Sequence, residues 1–200
     1  KLKVEHGKVR LQLPPLGCQI WQLEKPKHRF RREAGILLHP TSLPSKYGIG
    51  DIGKTAFKFV DFLKRADQHV WQMLPLGPVM FTYSPYQSSS AFAGNPMLIS
   101  LDKLVENGLL HDKDVRVTFI AHSSFVDFER AWKFKEKALK KAYQNFVQKG
   151  MDTSNEFRNF CDIESYWLDD FALFESLKAD NKGKCWMEWP EKVRDRDKKV

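Results

Sequence analysis

Gly35-Ile36-Leu37-Leu38-His39 and Val70-Trp71-Gln72-Met73-Leu74-Pro75-Leu76, with residues 40–69 between them, decide the fold of this chain. Both are short apolar runs of the kind found in parallel strands buried on both faces. Between them lies a loop rich in Pro and Gly over 40–53. Residues 54–66 then predict a helix, with Ala56, Val60 and Leu63 on one face beside Phe59 and Phe62. Strand, helix and strand in that order form a βαβ crossover, right-handed with parallel strands. The expected class is α/β.

Downstream the pattern becomes helical. Residues 97–101 are a short apolar run, and 104–110 suggest a helical turn ended at Gly108. Residues 128–148 carry Ala131, Phe134, Ala138, Ala142 and Phe146 at helical spacing, and 156–178 carry Phe160, Ile163, Trp167, Phe171, Phe174 and Leu177. These two stripes are expected to pack on each other and on the βα unit as core. Trp186-Met187-Glu188-Trp189-Pro190 reads as a packing corner. Upstream, residues 1–32 alternate like strands at Val9–Leu13 and again over 18–23, then end in a charged linker. They suggest either the end of a preceding β-rich domain or a disordered extension. The expected division is 1–32, a βα region over 33–100 and a helical subdomain over 101–200. The chain begins with Lys rather than Met, which suggests an excerpt of something longer.

A formal net charge of +8 invites a nucleic-acid reading, but its distribution argues against one. Residues 1–32 hold nine Lys/Arg against two acids, whereas 33–200 hold 24 against 23. A nucleic-acid footprint needs a clustered basic face, and the body of the chain is balanced. No apolar run approaches the roughly 20 residues that span a bilayer, and 1–32 lack the apolar core of a signal peptide. Cys18, Cys161 and Cys185 form no CxxC, which fits free thiols in a reducing, cytoplasmic compartment. The six histidines show no metal-ligand spacing, so no metal is expected.

The chemistry concentrates after the second strand. Ser84-Pro85-Tyr86-Gln87 and Ser90-Ala91-Phe92-Ala93-Gly94-Asn95-Pro96 offer aromatic faces, hydroxyls and side-chain amides, with no carboxylate between Asp67 and Asp102. Loops at the C-terminal ends of strands are where α/β enzymes place substrate contacts. A flat ring suits the apolar face of a sugar, and hydroxyl and amide groups suit its OH groups. Tyr86, Ser84, Gln87 and Asn95 are therefore candidate binding residues, joined by His39 at the end of the first strand. For Tyr86 and His39 a purely structural role stays open. Gly48-Ile49-Gly50-Asp51-Ile52-Gly53 matches the dinucleotide pattern GxGxxG. However, residues 40–47 separate it from the strand, and no acid ends the second strand to hold a ribose. The glycines fit loop turns better. Glu164, Asp169 and Asp170 share one helix and do not make a converging acid and nucleophile.

Residues 34–44, 47–51, 71–78, 84–87 and 90–96, together with 166–174 and 186–190, resemble the 4-α-glucanotransferase family (amylomaltase, disproportionating enzyme). The likeness runs from about residue 33 to the end. It implies the N-terminal part of a (β/α)8 TIM barrel with an inserted α-helical subdomain. It also implies transfer of an α-1,4-glucan segment to the 4-OH of glucose or another glucan by retaining double displacement, with no cofactor. The expected partners are α-1,4-glucans, maltooligosaccharides and glucose, with no nucleic acid and no membrane, in the cytoplasm or a plastid. The resemblance places Tyr86 on the sugar at the cleavage subsite with Ser84 beside it. Met80-Phe81-Thr82-Tyr83 departs from the family's Gly-Tyr-Gly-Asp, so Phe81 stands where a tyrosine contributes to a secondary glucan site. A full barrel takes roughly 250 residues, and the segments bearing the catalytic carboxylates have no counterpart here, so no catalytic residue is expected in this chain. Two rivals remain: a non-catalytic glucan-binding or scaffold protein, and a nucleotide-binding βαβ domain.

Overall fold

The computed structural model describes residues 32–79, 83–117 and 125–196. The chain divides into two units after Glu33, and the described residues lie almost wholly in the second. The strand and linker expectations for 1–31 fall outside the described residues, as does Phe81.

Strand β1 (Gly35–Leu37) pairs in parallel with β2 (Val70–Gln72), Ile36 opposite Trp71. Helix α1 (Lys54–Arg65) makes the crossover, as the sequence predicts. Its last turn holds Lys64 and Arg65, which complement the negative end of the helix dipole. Ala56 and Leu63 are buried. Phe59 meets Trp71 edge-on at 4.9 Å, and the Trp71 indole N–H donates to the Leu38 carbonyl at 2.8 Å. One ring thus ties the helix to the sheet and the sheet to its own loop.

Three expectations need correction. The second strand stops at Gln72 rather than Leu76 because its partner ends: Leu38 donates to the Gln72 carbonyl and Pro40 then turns the chain. The strands are not buried on both faces, since Leu37 and Val70 are largely exposed. Val60 and Phe62 of α1 are exposed too. A two-stranded layer covered by one helix cannot bury both faces of either element.

Two short 3-10 turns repeat one device. In Pro40–Ser42 the His39 ring accepts from the Thr41 N–H, and in Pro96–Leu98 the Asn95 side chain accepts from the Met97 N–H. Proline fixes φ at the first position of each turn. The apolar run at 97–101 is therefore a turn leading into helix α2 (Leu101–Glu106). Asn107 caps α2, and Gly108 follows in the left-handed region at φ 69.

Helix α3 (Phe128–Gln148) starts at the Asp127 cap, whose carboxylate accepts from the Arg130 N–H. Its buried stripe is Ala131, Lys135, Ala138 and Ala142. The small side chains let α3 approach α2 and the loop over 43–53. One core cluster joins Tyr47, Leu101, Leu110, Val115, Ala138 and Ala142, and a second joins Ile49, Met97 and Ala131. The loop between β1 and α1 thus supplies core side chains.

Gly150, left-handed at φ 67, turns the chain through a 3-10 turn to helix α4 (Asn155–Asp180), capped by Ser154. Phe146 meets Phe157 edge-on at 5.4 Å where α3 and α4 join. No residue of α4 is fully buried, which corrects the expectation that its aromatic stripe is core. Instead Phe92 of the loop after β2 packs on Tyr166 and Trp167 of α4. The packing corner does form. Trp189 is buried against Phe174 before the short helix α5 (Glu191–Arg194).

Candidate functional site

Residues 84–87 form a turn in which the Gln87 N–H donates to the Ser84 carbonyl at 3.0 Å, with Pro85 at its corner. An isolated antiparallel bridge between Val79 and Ser88 closes the base of this loop. Tyr83 enters the turn with φ 54 and stacks on Phe128 at 5.3 Å. The left-handed backbone there is uncommon for a bulky residue, and the stacked ring holds it. Beyond the turn, Ser90 accepts from the N–H groups of Phe92 and Ala93 and orders the segment leading to Asn95.

A cavity of about 190 Å³ opens beside this turn. His39, Thr41, Tyr83, Pro85, Asn95 and Met97 all line it. Thus the two capped turns face the same space, and His39 and Asn95, 56 positions apart, meet there. Ser84 and Gln87 sit in the adjoining turn. Tyr86 is 73% exposed and is not part of the cavity wall. A larger cavity of about 830 Å³ shares Thr41, Ser42, Ile49 and Phe128 with the smaller one. None of residues 84–87 lines it, so the smaller cavity is the one tied to the candidate binding groups.

His39 is fixed at both ring nitrogens. Nδ1 lies 2.7 Å from the Thr41 hydroxyl and accepts the Thr41 N–H at 3.4 Å, while Nε2 lies 3.4 Å from the Pro75 carbonyl. That pattern requires the neutral ring with its proton on Nε2. Burial lowers its pKa below the ordinary 6.5, against the opposing pull of the Pro75 carbonyl. The folded state therefore resists protonation. Its stability contribution is complete above 6.5 and falls as pH drops through that value toward the lower folded one. His39→Gln is expected to flatten this acid-side slope. Thermal melts from pH 8 to 5 test it, and an unchanged slope would remove His39 from the titration.

Asn95 is buried, accepts from the Met97 N–H at 2.9 Å and donates its own N–H to the Leu76 carbonyl. Asn95→Ala removes the cap and is expected to cost about 1–2 kcal/mol, the upper part of the range for a helix cap. Urea denaturation reads this directly, and a variant as stable as the parent would show that the cap contributes nothing.

Among the described residues the cavity wall holds no carboxylate. It offers hydroxyls, an amide, an imidazole and ring faces, which suit binding of a neutral polyhydroxyl ligand and not proton transfer by paired acids. Among the described residues no group of three or more His, Cys, Asp or Glu could hold a metal. No described helix is long and apolar enough to cross a membrane.

Behind the wall stand two groups the sequence did not single out. Lys135 of α3 has no exposed surface, and its ammonium reaches the Met97 carbonyl at 2.5 Å and Asp51 at 3.4 Å. Burial lowers the Lys135 pKa and raises that of Asp51, while the opposite charges pull each back. One signal was available. Lys135 falls between Ala131 and Ala138 on the helix face that the alanines mark as buried. In the same loop as Asp51, Tyr47 donates to Asp102, which also pairs with Lys46 at 2.8 Å. Burial and then the Asp102 contact push the Tyr47 hydroxyl up to about 12, so it stays a donor.

The 4-alpha-glucanotransferase family profile matches residues 38–200. A 4-alpha-glucanotransferase of Synechocystis sp. is 46% identical over 164 residues, covering 82% of this chain and 32% of the relative. That of Thermus thermophilus is 44% identical over 170 residues, covering 84% of this chain and 33% of the relative. A chloroplastic/amyloplastic 4-alpha-glucanotransferase of Arabidopsis thaliana is 39% identical, covering 91% of this chain and 31% of the relative. Among solved structures, an amylomaltase from Streptococcus agalactiae in complex with acarbose superposes with a TM-score of 0.68 at 36% identity, covering 82% of this chain and 33% of that one. The chain spans about a third of the length of the curated relatives it matches. With helix α1, strand β2, the two capped turns and the loop after β2 all inside the matched region, the chain belongs to the 4-alpha-glucanotransferase family.

Proposed function

We propose that this chain is the N-terminal portion of a 4-α-glucanotransferase, whose whole protein moves an α-1,4-glucan segment to the 4-OH of glucose or another glucan by retaining double displacement. In this reading β1 and β2 are the first two strands of a (β/α)8 barrel, and 101–200 belong to an inserted helical subdomain. The parallel register of β1 and β2 supports it, as do the apolar groups left bare on both strands and on α1. A third strand, a last strand and a neighbouring helix would cover them.

The role of this portion is to hold sugar. Tyr86, Ser84, Gln87, Asn95 and His39 supply the binding groups, and Phe81 stands, without the hydroxyl, where the family's secondary glucan site has a tyrosine. The observation that carries the reading is the convergence of His39 and Asn95 on one carboxylate-free cavity beside the turn that presents an exposed tyrosine. The acid/base and nucleophile come from the rest of the protein. The 200-residue chain alone is therefore expected to bind maltoheptaose without disproportionating it. Heteronuclear NMR titration tests the first half, and glucose release from maltotriose tests the second. Shifts absent around residues 84–95 would sink the binding reading, and glucose release would sink the division of labour.

Because Tyr86 is largely exposed, Tyr86→Ala should leave stability within about 0.5 kcal/mol of the parent. In the full-length enzyme it should cost about 1–3 kcal/mol of transition-state stabilisation, the scale of a stacked aromatic contact at the reacting sugar. Comparison of kcat/KM decides it, and an unchanged value would make Tyr86 a bystander.

A further inference from the structure

Lys135 joins three elements that the chain order keeps apart. Its backbone belongs to α3, its shorter contact is to the Met97 carbonyl in the turn capped by Asn95, and its counter-charge is Asp51 in the loop that begins at His39. Lys135 is buried on the same helix face as Ala131 and Ala138, and its ammonium ends where both loops come together. There the Ile52 N–H donates to the Leu98 carbonyl and the Gly50 N–H to the Thr41 carbonyl. The two turns whose caps line the cavity therefore share one anchor on its helical side.

We propose that Lys135 is a positioning residue, which holds the His39 and Asn95 turns at a fixed separation and so couples the helical subdomain to the shape of the sugar cavity. The coupling to sugar rests on the function proposed above; the anchoring of the loops does not. An ordinary stabilising ion pair would make the whole unit firmer. An anchor makes these two turns firmer than the helix that carries it. The ammonium has three donors, and the carbonyl and the carboxylate direct two of them to different loops. An apolar side chain of the same length could fill the same space and hold neither.

The test uses amide hydrogen exchange on the 200-residue chain. Asp51→Asn/Lys135→Met removes the tether without leaving a buried charge unpaired, and Asp51→Asn alone keeps the lysine on the Met97 carbonyl. In the double variant the Gly50, Asn95 and Met97 amides are expected to exchange about tenfold faster or more, while the Ala138 and Ala142 amides stay within about twofold. Asp51→Asn should loosen Gly50 and leave Met97 protected. Uniform acceleration through α3 and both loops would overturn the proposal, as would unchanged rates at the three loop amides.

A maltoheptaose titration is the second readout. The double variant should bind about tenfold more weakly, whereas Phe146→Leu, which weakens the α3–α4 junction, should bind like the parent. Equal binding by the double variant and the parent would overturn the coupling. If the parent itself does not bind maltoheptaose, the sugar-binding reading and the coupling built on it both fail, and the exchange rates still decide whether Lys135 anchors the loops.

Discussion

Lys135→Met is expected to lower the stability of the fold by about 3–5 kcal/mol, while Asp51→Asn/Lys135→Met should recover most of that loss. The single substitution leaves Asp51 as a buried carboxylate without its opposite charge. What remains is the backbone N–H at Gly53, too little to replace an ammonium. Burial already raises the Asp51 pKa, and removing Lys135 takes away the largest influence that opposes the rise. The pH dependence follows. A folded-state pKa raised above the ordinary 3.8 costs nothing below that value, and the penalty grows as pH rises through the folded pKa. The deficit of Lys135→Met against the double variant should therefore be largest near neutral pH and close in acid. Urea denaturation of both variants at neutral and acid pH measures it. A double variant as unstable as the single one would mean that lost lysine packing, not an orphaned charge, sets the cost.

Lys135 also shows where sequence reading runs out. The periodicity of 131, 135, 138 and 142 marks one face of α3, and both ends of that helix were legible to the residue. What periodicity cannot show is that a lysine on the buried face has a partner 84 positions upstream, because that pairing exists only once the loops are folded. The same limit explains α4. Its aromatic spacing marks an apolar face, but spacing is silent on what covers a face, and among the described residues Phe146, the Phe92 loop and Trp189 cover it only in part. Strand β2 is shorter than its apolar run for a related reason. Residues 73–76 are apolar enough to continue, but a strand lasts only as long as its partner, and the Pro40 turn ends β1.

At the candidate site the sequence shows which polar groups share a loop, but not which of them the fold itself already uses. Asn95 offers an amide by sequence, yet that amide caps a turn. Its side-chain oxygen is already engaged before any ligand arrives. His39 is similar, with both ring nitrogens engaged by its own loop and by Pro75. These two shape the cavity at least as much as they line it. Tyr86 has the opposite character, since its exposed ring is available without any rearrangement of the fold.

Gly50→Ala should be among the most damaging single changes in the chain, at about 3 kcal/mol or more. A β-carbon at Gly50 would lie 2.1 Å from the Pro40 carbonyl oxygen, 2.7 Å from that of Leu43 and 2.8 Å from the Leu43 nitrogen. All three are backbone atoms, so no rotamer change relieves the contact, and the backbone itself must move. The segment that would move is the turn capped by His39, which also receives the Gly50 N–H at Thr41. A glycine pattern that superficially fits dinucleotide binding thus has a different cause: one strand of loop lies directly against another. Gly94→Ala is the matching control, because nothing lies within 4 Å of its added carbon, and it should stay within about 0.5 kcal/mol of the parent. Thermal melts separate the two, and NMR of His39 follows the displaced turn. If Gly50→Ala melts with the parent while His39 keeps its tautomer, the loop has room that these distances deny, and close backbone approach is not why glycine stands there.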